Sequence, residues 1–225
     1  MKNHKDETKD TVTPQKALDF LIEGNNRFLN NLSVNRNYME IVDETKDGQF
    51  PFVSILSCSD SRVPVELVFN QGLGDIFSVR LAGNVASEYA IGSLEFACSA
   101  LDTKLIVVLG HTSCGAVKGA CDNLQGGNLY HVLSLIQPAV SAETTTVENR
   151  NGKNEDFIMN VAHLNVQQQI TNILDNSSII RKKLADKEIA IVGAMYDLAS
   201  GKVTFYEEDL VFDINHQFNK INANI

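Results

Sequence analysis

The sequence has no tryptophan and is poor in cysteine and proline, with four residues of each among 225. A chain of this length can bury a substantial core and does not need disulfides to fold, so the cysteines do not indicate a disulfide-stabilised scaffold. No apolar run reaches the roughly 18 residues that a membrane-spanning helix requires. The absences argue against a small secreted scaffold and a membrane partner, and leave an ordinary globular composition with 44% hydrophobic and 21% charged residues.

An excess of positive charge is also missing. Nineteen basic residues stand against 28 acidic ones, which gives a formal charge of −9. Nucleic-acid binding needs clustered lysine and arginine, so we expect no nucleic-acid partner. The first ten residues are charged and lack the apolar core of a signal peptide, which favours a cytoplasmic protein; a periplasmic location stays open if a signal peptide has been removed.

Strand and helix signals alternate along the chain. The run Leu105–Leu109 is the clearest strand, because a continuous apolar run suits a parallel sheet covered on both faces. We predict an α/β fold with a mostly parallel central sheet flanked by helices. Residues 1–32 form a predicted N-terminal tail and helical arm, and residues 33–225 a single α/β domain. The predicted strands are 52–57, 75–80, 105–109, 188–195 and 202–207; the predicted helices are 14–31, 87–101, 115–123, 130–140 and 156–184, the last interrupted near residue 176, and residues 33–50 are interpreted as a connection.

Two short segments carry the chemistry, and each follows a predicted strand. They are Cys58-Ser-Asp-Ser-Arg62 and His111-Thr-Ser-Cys114. Cysteine, histidine and aspartate are side chains that tetrahedral zinc binds, and ligands in parallel sheets bind beyond the carboxyl ends of strands. We predict that Cys58, His111 and Cys114 hold one metal ion, with the fourth position open to water or to Asp60.

Asp60 has an arginine, Arg62, two residues further on. A guanidinium can bind a carboxylate through two parallel hydrogen bonds. This pairing would keep Asp60 ionised and away from the metal, as a hydrogen-bond acceptor for the nucleophile. The other two cysteines, Cys98 and Cys121, are predicted to be buried and structural. Gly83, Gly110 and Gly115 are interpreted as places of close backbone approach.

These segments resemble the β-class carbonic anhydrases. The resemblance covers about residues 50–205 and implies an enzyme that hydrates CO2 reversibly to bicarbonate and a proton with a zinc-bound hydroxide. It implies Zn²⁺ on Cys58, His111 and Cys114, and Asp60 with Arg62 as the catalytic pair. The stretches that carry it are Cys58-Ser-Asp-Ser-Arg-Val-Pro64, Gly74-Asp-Ile-Phe-Ser-Val-Arg-Leu-Ala-Gly-Asn-Val85, Ser93-Leu-Glu95 and Val107-Val-Leu-Gly-His-Thr-Ser-Cys-Gly-Ala116.

The resemblance also distinguishes two branches of the family. In one branch the metal keeps an open position and a glutamine and a phenylalanine help to form the substrate pocket, for which this chain offers Gln49, Phe77, Ala82 and Gly115. The other branch has a non-catalytic bicarbonate site built from tryptophan, arginine and tyrosine. Arg80 and Tyr196 match the last two, but Ile55 stands at the tryptophan position. We therefore favour the open branch, with an anion site at Arg80 and Tyr196 as the alternative.

Other functions remain open at this stage. One is a related zinc hydrolase for another small cumulated substrate such as CS2. A second is a non-catalytic structural zinc module, although such sites usually close all four positions with cysteine or histidine. A third is a thiol redox protein, which lacks a CxxC motif here. The resemblance further implies CO2 and bicarbonate as ligands and self-association as a dimer or tetramer through the N-terminal helix.

Overall fold

A five-stranded sheet forms the centre of the molecule. The computed structural model describes residues 12–206, so most of the predicted N-terminal tail and the last part of the predicted domain lie outside the described residues. The strand order is β2-β1-β3-β4-β5. The first four strands run parallel and β5 pairs antiparallel with β4. The predicted α/β fold with a mostly parallel sheet and an N-terminal helix is therefore confirmed. The strands are β1 Val53–Ser57, β2 Ile76–Arg80, β3 Leu105–His111, β4 Ala190–Tyr196 and β5 Val203–Phe205.

Helices cover both faces of this sheet, which explains why β1, β3 and β4 are buried along their whole length. α1 and α3 lie on one face, and α4, α5 and α8 lie on the other. No helix within residues 12–206 has both the length and the apolar character to cross a membrane. The helices are α1 Pro14–Leu29, α2 Tyr38–Thr45, α3 Val65–Val68, α4 Glu88–Ala100, α5 Gly115–Cys121, α6 Leu129–Ser134, α7 Gln137–Ala142, α8 Glu155–Asn176 and α9 Ser178–Ala185.

The N-terminal helix begins as predicted and packs on its own chain. The Thr13 hydroxyl accepts a hydrogen bond from the backbone N–H of Lys16 at 3.2 Å, and Pro14 occupies the first turn, where its missing N–H costs nothing. Leu18 and Leu21 are buried against the sheet. The division into an arm and a domain stays a prediction, but α1 contributes to the core of this chain.

Two predicted segments were wrong. Residues 33–50, interpreted as a connection, contain α2, a helix of eight residues none of which is buried. The predicted helix 130–140 is two helices, because Pro138 lies in the first turn of α7 and lacks the N–H that a continuous helix would use.

Of the three glycines interpreted as places of close backbone approach, two occupy crowded positions. A side chain at Gly110 would lie 2.7 Å from Val166, and one at Gly83 would lie 2.6 Å from Ile136. The same interpretation is wrong for Gly115, since a Cβ there would have no heavy atom within 4 Å. Open space therefore adjoins the start of α5.

Candidate metal centre

Cys58, His111 and Cys114 converge at the carboxyl edge of the sheet. Cys58 directly follows β1, His111 is the last residue of the neighbouring β3, and Cys114 precedes the first residue of α5. One ligand atom from each residue lies within 4.8 Å of the others, and all three residues are buried. The two sulfur atoms are 4.0 Å apart. The three predicted ligands thus form one compact group.

The imidazole of His111 is oriented as a metal ligand. Its Nδ1 lies 3.0 Å from the carbonyl oxygen of Thr112, which can only accept a hydrogen bond, so the ring proton belongs on Nδ1. The lone pair then belongs to Nε2. That atom is one of three buried side-chain nitrogen or oxygen atoms within residues 12–206 that lack a hydrogen-bond partner. A buried acceptor beside two thiols is what a metal-ligating histidine requires.

The two thiols are hydrogen-bonded to each other. The pKa of Cys58 is lowered, mainly by its hydrogen bond with Cys114, and burial opposes this effect. The pKa of Cys114 is raised by the same hydrogen bond and by burial. Two thiolates at this distance need a cation between them. Binding of a metal would release the shared proton, as is usual for cysteine sites.

The three side chains fit a zinc ion. Two thiolates bound at about 2.3 Å to one tetrahedral zinc would be about 3.8 Å apart, close to the observed separation. The buried and unpartnered Nε2 of His111 supplies the third donor. A Cys2His set is also one of the ligand sets of catalytic zinc sites, which keep a fourth position for water or substrate.

Asp60 is held away from this group by Arg62. The guanidinium donates from Nε to Oδ1 at 2.9 Å and from its terminal nitrogen to Oδ2 at 2.8 Å, and the backbone N–H of Arg62 donates to Oδ1 at 2.9 Å. These donors hold the pKa of Asp60 well below its usual range, the side-chain hydrogen bonds having the largest effect. Asp60 is therefore ionised, with its carboxylate oriented by three hydrogen bonds.

Backbone N–H groups and Arg80 form hydrogen bonds with the segment of residues 58–60. These roles were not predicted. The Cys58 sulfur accepts from the N–H of Asp60 at 3.4 Å and of Gly83 at 3.3 Å. Arg80 donates from Nε to the carbonyl of Cys58 at 3.1 Å and from a terminal nitrogen to the carbonyl of Asp60 at 2.7 Å. Gly83 has φ +68°, a backbone conformation that favours glycine. The glycine in the sequence Ala82-Gly83-Asn84 was the signal that could have indicated this turn.

The predicted pocket residues lie at different distances from the metal group. Ala82 is half-buried in the turn that carries Gly83, and Gly115 follows Cys114 with open space beside it. Phe77 pairs with Ser54, four residues before Cys58, which places it about 13 Å along the sheet from that ligand. Gln49 is exposed. Ala82 and Gly115 therefore adjoin the ligands, whereas the backbone of Phe77 lies further along the sheet.

Arg80 and Tyr196, the predicted anion site, lie on strands that are not neighbours. They end β2 and β4, and the two intervening strands place the backbones of β2 and β4 about 14 Å apart at the usual strand spacing. The guanidinium of Arg80 already donates to two carbonyls. Tyr196 is buried, which together with the neighbouring Asp197 raises its pKa. Ile55, at the tryptophan position of the other branch, is completely buried in the core.

The fold and this group of ligands define an α/β protein with a metal-binding Cys-His-Cys centre. Comparison with known proteins identifies its family: the carbonic anhydrase family model matches residues 53–203. The chain belongs to the carbonic anhydrase family, and it resembles the β class, as the sequence predicted.

Individual relatives agree with this identification. Over 199 residues the chain is 36% identical to carbonic anhydrase 2 of Mycobacterium tuberculosis, a match that covers 85% of this chain and 92% of the relative. Its structure is similar to that of the β-carbonic anhydrase CcaA, with a TM-score of 0.69, 27% identity and coverage of 86% and 91% of the two chains. A tetrameric β-carbonic anhydrase from Sordaria macrospora shares the fold, with a TM-score of 0.66, 24% identity and coverage of 84% and 96%.

Proposed function

We propose that this chain is a zinc-dependent carbonic anhydrase that hydrates CO2 reversibly to bicarbonate and a proton, with Cys58, His111 and Cys114 as its zinc ligands. The buried, unpartnered Nε2 of His111 beside two thiols carries the proposal. When bound, zinc lowers the pKa of water to about 7 and so supplies hydroxide at neutral pH. The alternative substrate CS2 has no separate observation in its favour.

Asp60 orients the nucleophile in this proposal. Its carboxylate is ionised and fixed by Arg62, so it accepts a hydrogen bond from the attacking oxygen and directs a lone pair towards the carbon of CO2. Because both Asp60 oxygens are engaged by Arg62, the carboxylate does not take the fourth ligand position. An open fourth position distinguishes a catalytic zinc site from a structural one. The same geometry supports the open branch of the family.

The small apolar substrate needs a small apolar pocket, which a single chain supplies only in part. Ala82 and Gly115 adjoin the ligands, and the remaining candidates, Phe77 and Gln49, lie away from them. We propose that the chain self-associates as a dimer or tetramer and that these two residues face the site of a neighbouring copy. The exposed side chains of Tyr38, Met39 and Phe50, in the same segment of the chain as Gln49, and the tetrameric relative from Sordaria macrospora support this proposal. The exposed fractions are 52% for Tyr38, 74% for Met39 and 70% for Phe50.

The test is removal and restoration of the metal in the wild-type protein. We expect one zinc per chain by elemental analysis and stopped-flow CO2 hydration that disappears on chelation and returns with stoichiometric zinc. CS2 hydrolysis measured on the same samples distinguishes the alternative substrate. Stoichiometric zinc without CO2 hydration would contradict the proposed activity, and hydration by metal-free protein would contradict the proposed ligands.

A further inference from the structure

Three amide side chains on one face of α8 reach the segment that follows β2. Asn165, Gln169 and Asn172 are spaced four and three residues apart, so they share a helix face. The amide nitrogen of Asn165 donates to the carbonyl of Gly83 at 3.0 Å, and that of Asn172 donates to the carbonyl of Ala86 at 2.8 Å. The amide oxygen of Gln169 accepts from the N–H of Ala86 at 2.8 Å. The backbone of this segment is thus held by side chains of α8.

Two of these amides are buried and hydrogen-bonded to each other. Asn165 is 1% exposed and Gln169 is fully buried. The Gln169 nitrogen donates to Asn165 Oδ1 at 2.9 Å and to the carbonyl of Leu135 at 2.9 Å. Because both donors and the oxygen of Gln169 are used, its orientation is determined, and it determines that of Asn165. A buried amide network of this kind is costly unless its members are satisfied, so it fixes one arrangement.

Gly83 connects this network to the metal centre. Its carbonyl accepts from Asn165, and its N–H donates to the Cys58 sulfur at 3.3 Å. The residue has φ +68°, and a Cβ would lie 2.6 Å from Ile136, so only glycine fits there. Fixing the carbonyl on one side of Gly83 therefore restricts the direction in which its N–H can point.

We propose that Asn165 and Gln169 are positioning residues for the metal centre, which act through Gly83 to hold an N–H donor on the Cys58 sulfur. The proposal rests on the proposed zinc site. A hydrogen bond to a thiolate withdraws electron density from the sulfur and restricts the orientation of the ligand, as groups that support metal ligands do. Without the amide network, the sulfur loses this bond or receives it in a poorer geometry.

The test compares Asn165→Leu with the matched control Asn172→Leu. Both remove an amide donor from the same face of α8, but only Asn165 is bonded to Gly83. In the cobalt-substituted proteins we expect the thiolate-to-cobalt charge-transfer band to move to lower energy for Asn165→Leu and to stay unchanged for Asn172→Leu. We also expect zinc transfer from the zinc-loaded protein to a chelator to become about tenfold faster for Asn165→Leu alone. Loss of a residue that supports a metal ligand typically weakens metal affinity by about 10–100-fold, and tenfold is the lower end of that range.

A second variant is needed if the first does not fold. If circular dichroism shows that Asn165→Leu is unfolded, Asn165→Ala is measured instead, since water can fill the space of the amide. An unchanged band and transfer rate in a folded Asn165 variant would overturn the positioning role, as would equal changes in Asn172→Leu. A wild-type protein that binds neither zinc nor cobalt stoichiometrically would overturn the zinc site itself, and with it this inference.

Discussion

Cys58 follows β1 and His111 ends the neighbouring strand β3, whereas Arg80 and Tyr196 end β2 and β4, which have two strands between them. Both pairs lie at the same edge of the sheet. The backbones of neighbouring strands are about 5 Å apart, and those of strands three positions apart are about 14 Å apart. The first pair lies, with Cys114, in a group whose ligand atoms are within 4.8 Å of one another. The strand order therefore brings Cys58 and His111 closer together than Arg80 and Tyr196.

The metal centre and the end of β2 also differ in whether their charged and polar groups have partners. At the metal centre a buried thiolate faces a buried imidazole nitrogen that has no partner. At the end of β2 the exposed guanidinium of Arg80 is occupied by the carbonyls of Cys58 and Asp60. Arg80 thus supports the loop of the metal centre. Four predictions test this contrast, from the largest expected effect to the smallest.

The largest effect should come from His111→Ala. Removing the only imidazole ligand leaves two close thiols without their third donor, so we expect zinc affinity to fall by more than about 100-fold, above the range for residues that merely support a ligand. CO2 hydration should disappear with the zinc. Elemental analysis after gel filtration measures the loss. His131→Ala, which changes an exposed histidine, is the control and should keep its zinc; stoichiometric zinc in His111→Ala would refute the ligand assignment.

Asp60→Asn should separate catalysis from metal binding. The amide keeps the shape of the carboxylate but loses its charge, so kcat should fall by about 10²–10⁴-fold, the usual contribution of a positioned acid or base. Zinc content should stay at one per chain. Asp102→Asn, which alters an ion pair with Lys104 elsewhere on the surface, should behave as wild type. Wild-type kinetics for Asp60→Asn would show that the carboxylate does not act on the nucleophile.

Substitutions of Arg80 distinguish two roles for this residue: positioning the segment of residues 58–60 and binding an anion. Arg80→Lys keeps the positive charge but loses the planar fork that reaches two carbonyls. If Arg80 positions the loop, both Arg80→Lys and Arg80→Leu should lower kcat/KM by about tenfold, as expected for losing a charged hydrogen bond of about 1.4 kcal/mol. Full activity in Arg80→Lys together with weakened bicarbonate binding in Arg80→Leu would instead favour an anion site.

The smallest effect should come from Tyr196→Phe. The ring stays buried in the core and no ligand of the metal centre is changed, so we expect activity to change by less than the roughly tenfold effect that 1.4 kcal/mol would cause. Bicarbonate titrated against the variant and the wild-type protein should inhibit both equally. A selective loss of bicarbonate inhibition in the variant would reinstate Tyr196 as an anion ligand.

The sequence was sufficient for the parts of the molecule that depend on local pattern. Apolar and β-branched segments located the five strands of the described residues, and the positions of Cys58 and His111 just after two predicted strands predicted the metal group. Strand order is not written in the local pattern, so the separation of Arg80 from Tyr196 required the structure. The amides of Asn165 and Gln169 could not be assigned either, because their partners lie 82 and 83 residues away along the chain.

A crystal structure of the zinc-loaded protein at neutral pH in the presence of bicarbonate tests the central claim most directly. We predict zinc on Cys58, His111 and Cys114, Asp60 paired with Arg62, and Arg80 bonded to the carbonyls of Cys58 and Asp60. The result that contradicts this account is Asp60 coordinated to zinc, with bicarbonate bound between Arg80 and Tyr196.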